Sequence, residues 1–319
     1  MSTASDAVAQ AGGVGLIYAQ SRDDNKILCT IPCVKVDLEV GARTLTYMRQ
    51  SRTPMAKLGT PSNFITSVAS PRVAFFSSRG PSSLSPHILK PDIVAPGVDI
   101  LAASPSVHGA VRYKLDSGTS MSTPHVAGVV ALIKAEHSDW SPGAIRSALI
   151  TTARTTSQSG GDDIRDGGVM DKVTNMFDIG GGLVNPIESL DPGLVYNTTM
   201  EDYHLTPNHN HLTNLPYIII PDLGITKVTV TRTVTNVGPN KSVYKQTLKA
   251  PFGTIMKVEP RTLLFNDTKT TTFRVTFVRT IKVQGGFRFG SLTWSDDHGH
   301  QVRIPVAVRV IEFGMFGDV

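Results

Sequence analysis

The stretch Gly118-Thr119-Ser120-Met121-Ser122-Thr123-Pro124-His125 leads directly into an apolar run and decides how the rest of the chain is interpreted. Behind it, valine and isoleucine recur with helical spacing at positions 126, 129, 130 and 133, and alanine and leucine fill the positions between them. A helix that is apolar almost all round belongs in the interior of a large domain. We therefore expect a buried helix that begins beside Ser120.

Ser120 has two roles open to it at this position. The first N–H groups of a helix have no partners within the helix and carry the positive end of its dipole. A serine there is placed to attack a carbonyl carbon, while its own N–H, in a turn shaped by Gly118 and Thr119, helps to hold the oxyanion that forms. The alternative is that Ser120 only caps a buried helix.

The whole string from Gly118 to Gly128 resembles the nucleophile motif of the subtilisin-like serine proteases, or subtilases. Ser77-Ser78-Arg79-Gly80-Pro81 and the segment from Leu89 to Val98 are also similar to parts of the subtilase catalytic domain. The resemblance implies a serine endopeptidase that acts on protein or peptide substrates through an acyl-enzyme on Ser120. It implies no cofactor and no metal.

Strand and helix patterns surround this motif. Val73-Ala74-Phe75-Phe76 and Ile93-Val94-Ala95 are apolar runs of strand length that end at Gly-Pro or Pro-Gly turns. Ser141-Pro142 predicts the start of a second helix, with serine as its cap and proline in its first turn. The apolar face of that helix would consist of Ile145, Leu149 and Ile150.

The last third of the chain shows the two-residue period of β-strands. Hydrophobic and polar residues alternate from Val228 to Thr233, with Arg232 as a candidate inward residue, and again in 273–278 and 302–308. Turn residues separate these runs, which favours an antiparallel sandwich. Residues 233–238 and 289–294 resemble the fibronectin type III-like domain of plant subtilases. Asp297-His298-Gly299-His300 is interpreted as a turn between two strands.

These observations predict an α/β plus all-β chain: a partial subtilisin-like parallel α/β domain followed by a fibronectin type III-like β-sandwich. Residues 1–60 resemble the C-terminal part of a protease-associated domain, with a helix end, a glycine turn and a buried strand up to Tyr18, then a strand at 31–36. Residues 61–200 resemble the C-terminal part of the catalytic domain, 201–224 form a linker, and 225–312 form the sandwich. The linker histidines His204, His209 and His211 are interpreted as solvated, not as a metal site. We expect the sandwich to be the more autonomous piece, and limited proteolysis to leave a fragment near 225–312.

A serine of this class needs a general base and an orienting carboxylate, and in subtilases the chain order is Asp, His, Ser. Only His87 and His108 precede Ser120, and neither has the family's setting for the base. Asp116 directly adjoins the serine motif, so its resemblance to the family's aspartate is interpreted as coincidence. Asn25 and Asn63 do not match the family's oxyanion asparagine. We expect an N-terminally truncated subtilase that is inert by itself, and the alternative is a pseudoenzyme that acts as an interaction module.

Composition narrows the remaining classes of function. The 319 residues carry a net charge of +5 without a basic block, which disfavours nucleic-acid binding. No apolar run is long enough to span a membrane, and the sequence leaves the oligomeric state open. Cys29 and Cys33, the only cysteines, are either a disulfide or two buried thiols, and the resemblance favours the disulfide. Asn197, Asn240 and Asn266 begin glycosylation sequons, and the resemblance implies a secreted protein of the cell wall space although no signal peptide is visible.

Overall fold

A computed structural model describes residues 2–19, 29–36, 38–59, 71–105, 113–157, 163–167, 172–198, 202, 214–224, 227–281 and 285–311. Helices and short strands make up the described chain to residue 195, and eight strands follow, seven of them with six or more residues. The predicted fold class, α/β followed by all-β, is confirmed.

The first elements form a small α/β unit. They are α1 (Ser2–Gln10), β1 (Leu16–Ala19), β2 (Cys33–Val36) and α2 (Leu38–Gln50). β1 and β2 pair in parallel, and a disulfide joins Cys29 to Cys33, the first residue of β2. The predicted strand at Leu16–Tyr18 exists, but the expectation that it is buried is wrong, because Ile17 is exposed and its neighbours are only half-buried.

The middle of the chain holds the serine motif. Its elements are β3 (Arg72–Val73), β4 (Ile100–Ala103), β5 (Tyr113–Asp116), α3 (Thr119–Glu136), α4 (Pro142–Thr151), β6 (Arg165–Asp166), α5 (Met176–Ile179) and α6 (Pro186–Leu190). β3 pairs with β6 in parallel, and β4 pairs with β5 antiparallel. The two predicted strands here are shorter than expected: the first ends at Val73, before a turn at Phe75-Phe76, and the second is a single bridge from Val94 to Leu183.

α4 follows its predicted local chemistry. Ser141 caps it by accepting a hydrogen bond from the Ala144 N–H at 3.1 Å, and Pro142 occupies the first turn. Ile145, Leu149 and Ile150 are buried as expected. The helix is buried on its other faces as well, since it lies between α3 and the strands that follow.

The remaining strands form a two-sheet sandwich. They are β7 (Leu194–Val195), β8 (Ile218–Leu223), β9 (Val228–Asn236), β10 (Ser242–Lys249), β11 (Thr254–Glu259), β12 (Thr262–Phe265), β13 (Thr270–Arg279), β14 (Arg288–Ser295) and β15 (Gln301–Val310). One sheet has the order β12-β10-β14-β15-β8 and the other β11-β13-β9-β7. β8 and β15 are parallel, and all other neighbours in the two sheets are antiparallel.

Alternation of burial builds the sandwich core as the sequence predicts. In β13 the side chains of Phe273, Val275 and Phe277 point inward, and Trp294 of β14 lies edge-on against Phe273 with 5.2 Å between ring centroids. Arg232 is also buried, at 2% exposure, so the expectation that it continues the inward set of β9 is confirmed.

The predicted linker 201–224 is wrong in its last part. Ile218–Leu223 is the buried strand β8, and Leu215 and Tyr217 join a core cluster with Phe177 and Ile150. The histidines His204, His209 and His211 lie outside the described residues. Because β7 also pairs with β9, the sandwich begins near Leu194, and a fragment that started at 225 would lack one edge strand of each sheet, β7 and β8.

Candidate active site

Ser120 occupies the first turn of α3 and is exposed to solvent. The helix begins at Thr119 after Gly118, and the Met121 N–H already donates to the Gly118 carbonyl at 3.0 Å. The Ser120 N–H precedes this bond and is one of the first N–H groups of the helix, which have no acceptor within it. The geometry therefore presents both the hydroxyl and the N–H of one residue at the electropositive end of a long helix.

The start of α3 is fixed by contacts to the segment 95–97. The Gly118 N–H donates to the Gly97 carbonyl at 2.8 Å, and the Ser122 hydroxyl donates to the Ala95 carbonyl at 3.0 Å. The two segments approach each other closely at Gly97. A Cβ built on this residue would lie 2.3 Å from Ser122 Oγ and 3.0 Å from the Gly118 carbonyl oxygen. These contacts explain why a proline-glycine turn precedes the serine motif, because only a residue without a side chain fits under the helix start.

Pro124 changes the hydrogen bonding of Ser120. A proline has no N–H, so the bond that residue 124 would give to the carbonyl of residue 120 cannot form. The helix continues through Pro124, and two side chains contact the neighbouring carbonyls: Thr123 Oγ1 donates to the Thr119 carbonyl at 3.1 Å, and His125 Nδ1 lies 2.9 Å from the Met121 carbonyl oxygen. A carbonyl oxygen only accepts, so His125 Nδ1 carries the proton in this contact.

The prediction that α3 is buried all round is wrong. Among its described residues only Val129 and Ile133 are buried, while Leu132 is 56% exposed. One side packs on Ile145 and Leu149 of α4, and the other borders an apolar groove of about 920 Å³. The groove walls include Val73, Val94, Val126 and Val130, together with Ser122 and Thr123 of the first turn.

Within the described part of the chain, no histidine or carboxylate is hydrogen bonded to the Ser120 hydroxyl. His125 uses Nδ1 within its own helix, and Asp116 is paired with Lys114 at 2.8 Å. His87 is half-buried in the segment before Leu89, and His108, Asn25 and Asn63 lie outside the described residues. The sequence-level interpretation of Asp116 as unrelated to a catalytic triad agrees with its position at the end of β5.

An ion-pair cluster with two buried carboxylates links Arg79, in the motif segment 77–81, to residues 166–178. Arg79 forms ion pairs with Asp166 and with Asp178, and the Arg79–Asp178 distance is 3.1 Å. Lys172 is 3.0 Å from Asp178, whose side chain is only 2% exposed. The hydrogen bond to Asp166 is the main reason that the pKa of Arg79 is raised. Arg79 lies in a segment that resembles the family, but no spacing in the sequence pairs it with Asp178, 99 positions away.

The three sequon asparagines are exposed. Asn240 lies in the turn between β9 and β10, and Asn266 lies between β12 and β13. Asn197 accepts a hydrogen bond from the Ser141 hydroxyl at 2.7 Å. No group of three or more histidine, cysteine, aspartate or glutamate side chains is arranged to hold a metal ion in the portion that the structure describes.

Comparisons with known proteins agree with this geometry. A sequence model of the subtilase family matches residues 37–174, and a fibronectin type-III domain model matches residues 212–308. Two Arabidopsis thaliana proteins, subtilisin-like protease SBT3.5 and subtilisin-like protease SBT3.16, are each 45% identical to this chain, over 97% and 95% of its length. The chain belongs to the subtilase family.

This subtilase chain spans 43% of the length of each of those two relatives. Among solved structures, PapD-like domain 7 of human CEP192 is 13% identical with a TM-score of 0.26, over 31% of this chain and 83% of that one. The CupB2 chaperone of Pseudomonas aeruginosa is 11% identical with a TM-score of 0.24, over 28% and 52% of the two chains. None of the helices in the described residues is both long and apolar enough to cross a membrane.

Proposed function

We propose that Ser120 is the nucleophile of a subtilisin-like serine endopeptidase centre, and that proteins or peptides are the substrates. The single observation that carries this proposal is the exposed position of Ser120 at the start of α3. Its hydroxyl oxygen would attack the scissile carbonyl carbon, and its N–H would donate to the oxyanion. The amine would then leave, and water would release the acyl group from Ser120.

The contacts around the helix start support this role. Two hydrogen bonds hold residues 118–122 against residues 95–97, and this close approach is possible because Gly97 has no side chain. A nucleophile must be held within a fraction of an ångström of its attack position, so a braced helix start suits this chemistry.

We further propose that this chain does not hydrolyse peptide bonds by itself. A serine hydroxyl needs a base within hydrogen-bond reach, and the described residues near Ser120 place none there. Loss of the base from a triad of this kind lowers turnover by about 10⁶-fold. Loss of a single oxyanion donor by itself lowers turnover by about 10²–10³-fold, and the two losses are not additive.

A chimera tests the assignment of Ser120. The part of SBT3.5 that precedes the aligned region would be joined to this chain, and hydrolysis of a quenched fluorescent peptide library would be measured. We expect hydrolysis by the chimera and loss of about 10⁶-fold in the Ser120→Ala variant. Ser138→Ala, an exposed serine just beyond the end of the same helix, is the matched control and should retain full activity. Equal activity of the Ser120→Ala and parent chimeras would overturn the proposal.

The exposed apolar groove beside α3 favours a second candidate function, that of an inactive subtilase that binds protein partners. The chimera separates the two: a correctly folded chimera that hydrolyses nothing favours the binding function.

We also propose secretion, with glycans at the exposed Asn197, Asn240 and Asn266, and a protease-associated origin for residues 1–60. The measurement is the mass of the protein secreted by plant cells before and after treatment with peptide N-glycosidase. A lower mass after treatment is expected if the glycans are present.

A further inference from the structure

His300 lies where the end of the α/β part meets the sandwich. It follows the turn 297–299 between β14 and β15, and it is 8% exposed. Its ring contacts a carboxylate at each nitrogen: Nδ1 is 2.7 Å from Asp296 Oδ2, and Nε2 is 3.1 Å from Asp191 Oδ2. Asp296 belongs to the sandwich, whereas Asp191 follows α6 and precedes β7. One imidazole therefore links two parts of the chain that are more than a hundred residues apart in sequence.

The Asp296 side of this link is rigid. The Asp296 side chain is fully buried and also accepts the N–H groups of His298, at 3.0 Å, and of His300, at 2.9 Å. Burial alone would raise the pKa of Asp296, but the hydrogen bonds from His300 and His298 outweigh it, so the pKa is lowered. This carboxylate therefore stays charged and keeps the Nδ1 proton of His300.

The Asp191 side of the link is exposed, at 71% for its side chain. Two residues later, the backbone of Gly193 lies directly on the His300 ring, with φ +72 and no room for a Cβ, which would come within 2.8 Å of His300 and 2.6 Å of Tyr244 Oη. The Gly193 carbonyl accepts the N–H groups of Val237 at 2.9 Å and Gly238 at 3.3 Å. The contact between Asp191 and His300 thus holds this segment at the edge of the sandwich, where β7 begins.

We propose that His300 is a proton-operated latch that fixes the segment 190–195 to the sandwich in its imidazolium form and loosens it in its neutral form. The imidazolium donates a hydrogen bond to each carboxylate. When it loses a proton to solvent, Nδ1 keeps its hydrogen for the buried Asp296. Nε2 then turns a lone pair toward the Asp191 carboxylate, and this exposed side chain is free to move away.

The direction of the pH dependence follows from the surroundings of His300. Burial lowers the pKa of His300, but its bonds to Asp296 and Asp191 raise it by more, so it lies above the ordinary value of 6.5. The added stability is complete below about pH 6.5, the value for the unfolded chain, and is lost as the pH rises through the folded value. Tyr244 of β10 also faces this cluster, but burial raises its pKa and it stays neutral. His298, in the same turn, is a further titratable neighbour, and its ring centroid lies 6.5 Å from that of His300.

Hydrogen–deuterium exchange of the whole chain at pH 5.5 and pH 8.5, corrected for the intrinsic exchange rates, tests the latch. We expect peptides that contain Val237 and Gly238 to lose about two- to fivefold of their protection at the higher pH, as for a partly exposed ion pair. His300→Gln should show the weaker protection at both pH values. Asp191→Asn should show most of the same loss, because Asp296 alone does not hold the segment.

His298→Gln is the matched control, since its side chain is exposed in the same turn, and it should keep the pH dependence of the parent chain. Circular dichroism at pH 5.5 establishes that each variant is folded. If His300→Gln does not fold, Asp191→Asn, which changes an exposed side chain, provides the test in its place. Equal protection of the parent chain at the two pH values, or an undiminished pH dependence in Asp191→Asn, would overturn the latch. Neither outcome depends on the catalytic role of Ser120.

Discussion

Substitutions at Gly97 and Ser122 test directly whether the contact between these two residues holds the start of α3 in place. In Gly97→Ala the new methyl group would lie 2.3 Å from Ser122 Oγ, which forces a shift. The backbone at Gly97 lies outside the left-handed region, so a gain of about 0.4–1 kcal/mol from the stiffer unfolded chain offsets part of the cost. Overpacking costs about 1–3 kcal/mol, and we expect a net loss of about 1–2 kcal/mol of unfolding free energy.

Ser122→Ala should cost about 1 kcal/mol, because the Ala95 carbonyl loses its hydroxyl donor. The double variant is the informative one. With the hydroxyl removed, the methyl group at position 97 enters the space that Ser122 Oγ occupied, although the Gly118 carbonyl oxygen still lies 3.0 Å away. We therefore expect the double variant to lose about 1 kcal/mol less than the sum of the two single losses.

Urea unfolding followed by far-ultraviolet circular dichroism measures the four free energies of this cycle. A second cycle, between Gly97→Ala and Ser138→Ala, is the control and should be additive. Ser138 lies beyond the far end of α3, about 25 Å from its start at 1.5 Å per residue. Additivity of the Gly97 and Ser122 changes to within about 0.5 kcal/mol would refute the described contact.

Three further predictions concern the fold. Ser141→Ala should cost about 1 kcal/mol in urea unfolding, because α4 loses its cap, and a near-zero effect would contradict the described cap. Phe273→Ala should cost about 3–5 kcal/mol by the same assay, whereas Phe252→Ala, at a side chain 71% exposed, should cost less than about 0.5 kcal/mol. Limited proteolysis with mass analysis should leave a fragment that begins before Leu194, and a stable fragment that begins near residue 225 would contradict the pairing of β7 and β8 with the sandwich.

The parts of the fold that local chemistry determines could be predicted from the sequence. The alternation in 273–278 places Phe273 and Phe277 inward whatever the rest of the chain does, because strand side chains point to opposite faces. Ser141 and Pro142 set the start of α4 by their own hydrogen-bonding capacity. Arg232 followed the period of its strand into the core despite its charge.

The parts that depend on distant partners could not be predicted. The apolar pattern of α3 does not show which of its sides finds a neighbour, and only the side toward Ile145 and Leu149 does among the described residues. Ile218–Leu223 pairs in parallel with β15, and nothing in the polar run that precedes it indicates that partner. The link from His300 to Asp191 spans more than a hundred residues, so the turn 297–300 was recognised but its partner was not.

At the site itself, the sequence predicted the helix that carries Ser120 but not the contacts that brace it. Gly97 and Ser122 come together because two loops meet, and no spacing along the chain indicates that meeting. The resemblance indicates the residue that we propose as the nucleophile. The structure adds that this residue is exposed at the helix start.

Ser120 is exposed at the start of α3, and among the described residues no base is hydrogen bonded to its hydroxyl. Reaction of the purified protein with a fluorophosphonate probe, followed by peptide mapping, measures the reactivity of Ser120 directly. We predict labelling of Ser120 no faster than that of Ser138, with no difference between the parent and the Ser120→Ala variant in total label. Selective labelling of Ser120 at the rate of an active serine protease would contradict the account.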